Sequence, residues 1–212
     1  MLKRLNRAEN AAVNLMSLSN NLVMVGKCEQ AKDNAKAATA LVRGQMSLPN
    51  AALIYASCGD SKQAQSLLDE AVAAYPKNTI ISMIVSPMIK AGIEKARGNN
   101  AEAIQLLESV RSYDFGVIIG LAGRYMRGNL YLEQRKSKEA VDEFKAILDH
   151  RSADMFSPAH ALAHLGLARA AVISGDTATA RKSYQDFFAL WKDADPDLPV
   201  LVKAKKEYEQ LK

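Results

Sequence analysis

The sequence predicts an all-α protein, an α-solenoid of about five helix–turn–helix repeats closed by a C-terminal capping helix. Hydrophobic residues make up 49% of the 212 residues but aromatic ones only 6%, and this Ala- and Leu-rich balance favours helices over strands. The six prolines and eleven glycines are few for the length. They fall mostly between apolar-periodic stretches, where helix ends are expected.

A short pattern of a small turn residue, polar residues and an alanine recurs five times. Its copies read GKCEQA, GDSKQA, GNNAEA, RKSKEA and GDTATA, and they end in Ala31, Ala64, Ala103, Ala140 and Ala180. These alanines are 33, 39, 37 and 40 residues apart. A helix–turn–helix unit of about 34 residues with short insertions produces such spacing, because alanine lets two helices pack closely and glycine permits the tight turn.

Each copy of the pattern marks the turn of one helix pair. The predicted pairs are 9–25 with 27–43, 46–58 with 61–75, 79–97 with 100–111, 117–134 with 137–149, and 157–174 with 177–193. The repeats therefore span 9–43, 46–75, 79–111, 117–149 and 157–193. The longest loop is predicted at 150–158. A capping helix is predicted at 197–211, since proline is tolerated in a first helical turn and KAKKEYEQLK supplies a polar outer face. Because no Gly-, Ser- or Pro-rich linker divides the chain, residues 1–212 are predicted to form one solenoid domain.

Three of the repeats carry a more specific residue pattern. The second repeat has Tyr55, Gly59, Ala64, Leu68, Ala71 and Pro76; the fourth has Gly128, Tyr131, Ala140 and Phe144; the fifth has Leu167, Ala168, Ala171, Gly175, Ala180 and Tyr184. In aromatic, small, bulky and terminating positions this pattern resembles the tetratricopeptide repeat (TPR) family. The resemblance implies a scaffold that binds a protein or peptide partner in a concave groove.

A narrower resemblance concerns RGNNAEAIQLLESVRSYDFG and the stretch from ALAHLGLARAAVISGD to ARKSYQDFFALWKDADPDLPVL. These segments are similar to the C-terminal TPR region of bacterial serine/threonine kinases and winged-helix regulators. The resemblance implies an alternative function, a ligand-sensing regulatory module of a larger signalling protein whose effector domain is absent from this chain.

The family resemblance also implies which residues line the groove. Its helix A positions fall on Val13, Met16, Asn20, Val23, Met24, Met46, Leu53, Met88, Lys95, Tyr125, Asn129 and Arg169. The carboxylate clamp of co-chaperone relatives is incomplete, since Asn20 and Asn50 match its asparagines but Met16, Val85 and Ile89 replace its cations. The methionine-rich strip suits apolar or amphipathic partner segments. The alternative is that these methionines fill gaps between helices.

Enzymatic chemistry has no support in the sequence, and no catalytic, cofactor or metal site is predicted. Asp114-Phe115-Gly116 spells the kinase magnesium-binding triplet, but the other kinase motifs and their order are missing. His160 and His164 have helical metal-ligand spacing without a third ligand. Asp142 and Glu143 are adjacent, and we expect them to be solvated charges on an exposed helix face.

The distribution of charged and apolar residues limits which kinds of partner and which compartments are expected. The 28 Lys and Arg are interleaved with 23 acidic residues, so no basic cluster indicates nucleic-acid binding. No apolar stretch is long enough for a membrane span. A soluble, cytoplasmic protein is favoured, and a periplasmic one is the alternative if the chain belongs to a membrane-bound kinase. Cys28 and Cys58 are predicted to lie on one edge of neighbouring helices, but whether they are bonded is left open. The oligomeric state is also left open.

Overall fold

A computed structural model describes residues 2–211, with side chains from residue 7 onwards. Residues 2–211 form eleven α-helices, one π-helix and two 3₁₀-helices, and they contain no strand. The α-helices are α1 Leu2–Met24, α2 Cys28–Leu41, α3 Ser47–Ser57, α4 Ser61–Ala74, α5 Ser86–Ala96, α6 Asn100–Glu108, α7 Ala122–Glu133, α8 Ser137–Asp149, α9 Ala159–Ser174, α10 Thr177–Leu190 and α11 Pro199–Glu209. The π-helix is Ile81–Val85, and the 3₁₀-helices are Arg111–Tyr113 and Arg151–Ala153. The predicted all-α fold is confirmed.

The helices pair as predicted, each pair joined by a turn of two or three residues. Four of the five turns contain a glycine with a left-handed backbone: Gly26, Gly59, Gly98 and Gly175, with φ of 87°, 82°, 84° and 79°. The fourth turn has Arg135 in this conformation instead, with φ of 57°. The five pattern alanines, Ala31, Ala64, Ala103, Ala140 and Ala180, are all 0% exposed. The pattern thus marks a fully buried position next to the turn of each helix pair, where close packing favours a small side chain.

The described chain divides into two compact units, the first ending at Val110 and the second beginning at Arg111. The first unit contains α1 to α6, around a core that includes Leu48, Ile54 and Ile89. The second contains α7 to α11, and its largest buried apolar side chains include Phe144 and Phe187. The assignment of residues 1–212 to a single domain stays a prediction.

The predicted boundary of α7 was wrong, because this helix begins at Ala122 and not near residue 117. The preceding loop has left-handed backbones at Phe115 (φ 66°) and Gly120 (φ 53°), which a helix cannot accommodate. The connection from 109 to 121 is consequently longer than 150–158, the segment predicted to be the longest loop.

A network of buried charges joins this loop to α7 and α8. The Arg127 side chain is 0% exposed and contacts the Asp114 carboxylate, and its Nε lies 3.0 Å from Oε1 of Glu143. Arg124 and Arg111 also donate to Glu143, over 3.1 and 2.6 Å. The prediction that Glu143 is solvated was wrong: it lies three residues after Ala140 and four before Ile147, both fully buried, so it shares their face.

The kinase-like triplet Asp114-Phe115-Gly116 lies in the same loop. The Asp114 carboxylate is bound by Arg127, and the Phe115 ring stacks on His150 with ring centroids 3.8 Å apart. The Arg124 guanidinium lies over the Phe115 ring, with its Cζ atom 4.9 Å from the ring centroid. These contacts give the triplet a structural role in holding the loop.

Candidate partner-binding site

The first unit contains a cleft of about 410 Å³ between α1 and the segment that leads from α2 into α3. Four of the predicted groove residues come together there: Val13, Met16, Asn20 and Met46. The remaining lining residues are Glu9, Asn10, Ala12, Ser17, Val42, Gly44, Gln45, Ser47 and Asn50. The cleft therefore combines apolar side chains with carboxamides and hydroxyls, and Glu9 is its charged lining residue.

The exposure of the lining residues distinguishes the floor of the cleft from its rim. Met16 is 4% exposed and Ala12 2%, so both belong to the core of the first unit as well as to the cleft. Val13 is 50% and Met46 52% exposed. A side chain that enters the cleft can therefore cover Val13 and Met46, while Met16 contributes the surface beneath them.

The wall formed by the α2–α3 connection is held in place by hydrogen bonds. The Ser47 hydroxyl donates to the Val42 carbonyl and accepts from the Gly44 N–H at 2.9 Å. The Asn50 amide donates to the Met46 carbonyl at 2.8 Å. A wall that is fixed before binding reduces the ordering cost of holding a ligand.

Contacts beyond the cleft support the same connection. Arg43 Nε donates to Glu70 Oε1 at 2.7 Å, and this hydrogen bond lowers the pKa of the Glu70 carboxyl. The Asn78 amide donates to Gln45 Oε1 at 3.3 Å. Sequence reasoning missed Val42, Gly44 and Gln45 because they lie outside the helix A positions from which the family's groove is predicted.

The other predicted groove residues of the first unit lie outside this cleft. Met24 and Leu53 are half-buried, and Lys95 is exposed in the last turn of α5. Met88 is 3% exposed and is a core residue, so its placement on an open surface needs correction. The physical reason is that Met88 shares a helix face with Ala91 and Gly92, and this face packs closely on α3: a Cβ atom added at Gly92 would lie 2.9 Å from the Ala56 Cβ.

In the second unit, the predicted groove residues Tyr125, Asn129 and Arg169 lie on α7 and α9. Asn129 Nδ2 donates to the Tyr125 carbonyl at 2.7 Å. Burial raises the pKa of the Tyr125 hydroxyl, and the positive charge of Arg169 partly opposes the shift. Arg169 is bound by Glu207 of α11, over 2.9 Å from Nε and 3.2 Å from Nη2. Sequence reasoning did not find Glu207, because residue type does not show which face of α11 meets α9.

The two histidines with metal-ligand spacing take part in ordinary contacts. His160 Nε2 lies 3.2 Å from the Asp154 carbonyl oxygen, and His164 Nδ1 lies 4.0 Å from Asp186 Oδ2. Among the described side chains, no group of three or more His, Cys, Asp or Glu is arranged to hold a metal ion. Likewise, no helix in the described part of the chain has the length and apolar character needed to cross a membrane.

A family model described as tetratricopeptide repeat matches residues 125–199. Residues 125–199 are thus similar in sequence to tetratricopeptide repeats. This segment covers most of α7 and all of α8 to α10, the two helix pairs of the second unit. The tetratricopeptide fold is typically an interaction module rather than a catalytic one.

The tetratricopeptide architecture is also found in a solved structure that resembles the whole chain. This structure, a tetratricopeptide repeat protein from Parabacteroides merdae ATCC 43184, has a TM-score of 0.53 and 18% sequence identity to the chain. The match covers 95% of this chain and 73% of that chain. At this identity the likeness shows the fold, and it confirms the predicted α-solenoid class. No curated protein sequence matches the chain significantly.

Proposed function

We propose that the protein is a non-catalytic interaction scaffold and that the cleft of the first unit binds an apolar or amphipathic segment of a protein partner. The observation that carries the proposal is the combination of apolar side chains with carboxamides in the lining of a cleft of about 410 Å³. Apolar side chains of a partner gain from leaving water, while Asn and Gln side chains can donate to and accept from its main chain. Glu9 disfavours an acidic residue at its end of the cleft.

The test compares two exposed apolar residues on the same helix. Val13 lines the cleft and is 50% exposed, whereas Leu18 is 52% exposed and does not line it. Peptides are first selected from a random display library by binding to the wild-type chain. Their affinity for Val13→Lys should be at least about tenfold lower, because binding would remove the ammonium group of the new lysine from water. They should bind Leu18→Lys as tightly as the wild type.

A second cleft variant and a core variant complete the experiment. Met46→Lys should weaken binding like Val13→Lys with little change in melting temperature, since Met46 is 52% exposed. Met16→Lys should instead unfold the first unit, since Met16 is 4% exposed. Equal binding by Val13→Lys, Met46→Lys and Leu18→Lys would contradict the assignment of the cleft.

The second candidate function is a ligand-sensing module of a larger bacterial kinase or transcriptional regulator. The volume of the cleft favours it, because about 410 Å³ lies within the range of small-molecule sites. A metabolite that binds the folded chain should raise its melting temperature by mass action. A ligand whose effect on melting disappears in Val13→Lys and persists in Leu18→Lys would support this function.

The disulfide between Cys28 and Cys58 bears on the compartment. Disulfides form and persist where the surroundings are oxidising, as in the bacterial periplasm, and they are rare in a reducing cytosol. This supports the periplasmic alternative over the cytoplasmic assignment favoured from the sequence. Alkylation of free thiols in cells before lysis, followed by mass spectrometry of the peptides, tests it: a largely alkylated Cys28 and Cys58 would exclude an oxidising location.

A further inference from the structure

The C-terminal helix α11 packs on the second unit through two buried residues, the Tyr208 ring and hydrogen bonds, among them Gln185 Nε2 to the Tyr208 hydroxyl at 3.1 Å and Arg181 to the Leu211 carbonyl just after the helix. Leu201 and Ala204 are its buried residues, at 4% and 0% exposure. Tyr208 is half-buried and packs edge-on against Tyr184 and Phe188, with ring centroids 5.8 and 5.6 Å apart. An isolated helix of eleven residues is marginally stable in water, so α11 depends on this contact for its order.

The polar part of the contact is centred on Glu207. Arg169 of α9 donates two hydrogen bonds to the Glu207 carboxylate, over 2.9 and 3.2 Å, and the Tyr184 hydroxyl of α10 donates a third at 2.9 Å. Arg169 and Glu207 are each about a quarter exposed, at 24% and 25% of the side chain. Burial, followed by the charge of Glu207, raises the pKa of Tyr184, so this hydroxyl keeps its proton and remains a donor.

Both donors belong to the helix pair α9–α10, and neither belongs to α11. Removing α11 would leave a guanidinium and a hydroxyl aimed at one point beside the exposed faces of Tyr184 and Phe188. Such a surface is complementary to a helix that carries an apolar stripe with one carboxylate at its edge, which describes α11 itself: Leu201, Ala204 and Tyr208 beside Glu207.

We propose that α11 is a displaceable latch, which occupies in cis a docking site for an amphipathic helix of a partner, with Glu207 in the carboxylate position of that site. The partner is an amphipathic helix with one carboxylate at the edge of its apolar stripe, because Arg169 and Tyr184 together select a carboxylate. The inference concerns the second unit alone and does not depend on the cleft of the first unit.

Two variants of the full chain test the latch by hydrogen exchange. In the wild type, the amides of α11 should exchange at least about tenfold faster than those of α9 and α10, because α11 opens without the rest of the unit. Glu207→Gln keeps the shape of the side chain but removes its negative charge, so the ion pair with Arg169 is lost. Amide exchange in α11 should then be faster by a further factor of about ten. Glu209→Gln is the matched control, since Glu209 is exposed on the same helix, and it should change nothing.

A synthetic peptide of residues 197–211, added in trans, tests whether the site is a docking site. It should bind the Glu207→Gln chain about tenfold more tightly than the wild type, whose own α11 competes. The same peptide with Glu207→Gln should lose this binding. Exchange of α11 in step with α9 and α10, failure of the Glu207→Gln chain to fold, or equal peptide binding by both chains would each overturn the proposal.

Discussion

Arg127 is the residue with the largest predicted effect on the second unit, because its fully buried guanidinium lies between the carboxylates of Asp114 and Glu143. Removing one partner of a buried charge network leaves uncompensated charges behind, and this costs about 3–5 kcal/mol. Arg127→Gln should therefore lower the free energy of unfolding by about that amount in urea denaturation followed by circular dichroism.

Arg151→Gln provides the comparison, since Arg151 is exposed, and its change in unfolding free energy should stay within about 0.5 kcal/mol. A loss below about 1 kcal/mol in Arg127→Gln would mean that water replaces the guanidinium in the network.

The imidazole of His164 makes the folding stability of the second unit depend on pH. Burial lowers the pKa of its imidazole below the ordinary value of 6.5, although the nearby Asp186 partly opposes the shift. The unfolded chain thus binds this proton more readily than the folded one. Stability is unaffected by His164 above pH 6.5 and falls as the pH drops through that value towards the folded pKa.

The titration of His164 should therefore be visible in both structure and stability. Its folded midpoint, followed by NMR, should lie below 6.5. His164→Gln should lose less stability than the wild type on acidification from about pH 7.5 to about pH 5.5, because glutamine does not titrate. A midpoint above 6.5, or equal losses in both proteins, would contradict the assignment.

These residues also mark where the sequence was insufficient. The alanine pattern predicted the close helix contacts, but nothing near Glu143 indicated that three arginines would surround it. Two of those arginines lie on α7, and Arg111 lies in the short 3₁₀-helix before it. Such a network depends on tertiary packing between segments whose relative rotation is not encoded locally.

At the scale of helices, the pairs of the second unit are packed around the Phe144 ring of α8. A Cβ atom added at Gly166 of α9 would lie 2.5 Å from this ring, and one added at Gly128 of α7 would lie 2.7 Å from it. Glycine is therefore required at both positions for α7 and α9 to approach α8. The family pattern had already singled out Gly128 and Phe144.

Gly166→Ala should consequently destabilise the second unit despite the better helix propensity of alanine. Overpacking costs about 1–3 kcal/mol, against a propensity gain of about 0.5–1 kcal/mol. Thermal unfolding should show the loss, and a second change, Phe144→Leu, should make the alanine less costly because the clashing ring atoms are removed. Strictly additive effects of the two changes would exclude a clash between them.

Helix existence was easier to predict than helix register. The turns at Gly26, Gly59, Gly98 and Gly175 follow from residue type, and the alanine pattern located the remaining turn, which contains Arg135. The start of α7 was missed because Gly120, inside the predicted helix, adopts a left-handed backbone that interrupts it. The placement of Met88 failed because residue type does not show which face of α5 packs against α3.

At the scale of the whole molecule, the disulfide between Cys28 and Cys58 is a covalent cross-link within the first unit. Cys28 and Cys58 are separated by 30 residues, with Cα atoms 5.6 Å apart, so their predicted proximity is confirmed. A cross-link over such a segment restricts the unfolded chain and contributes about 2–4 kcal/mol. Reduction should speed amide exchange in α2 and α3, which the bond connects, with α9 and α10 as internal reference.

A double variant separates this effect from other actions of the reductant. Cys28→Ser with Cys58→Ser should match the reduced wild type in α2 and α3 exchange and should not respond to reductant. If reduction left exchange in α2 and α3 unchanged, the bond would have no stabilising role there.

The π-helix Ile81–Val85 has an evolutionary meaning. A helix absorbs one inserted residue by widening a single turn, as in the hydrogen bond from the Ser86 N–H to the Ile81 carbonyl. Ile81 and Ile84 are buried, so the widened turn still packs in the first unit. Every side chain after the widened turn is rotated by about 100°. A repeat protein can thus change the surface that a whole helix displays through a single insertion, without substituting any residue of that helix.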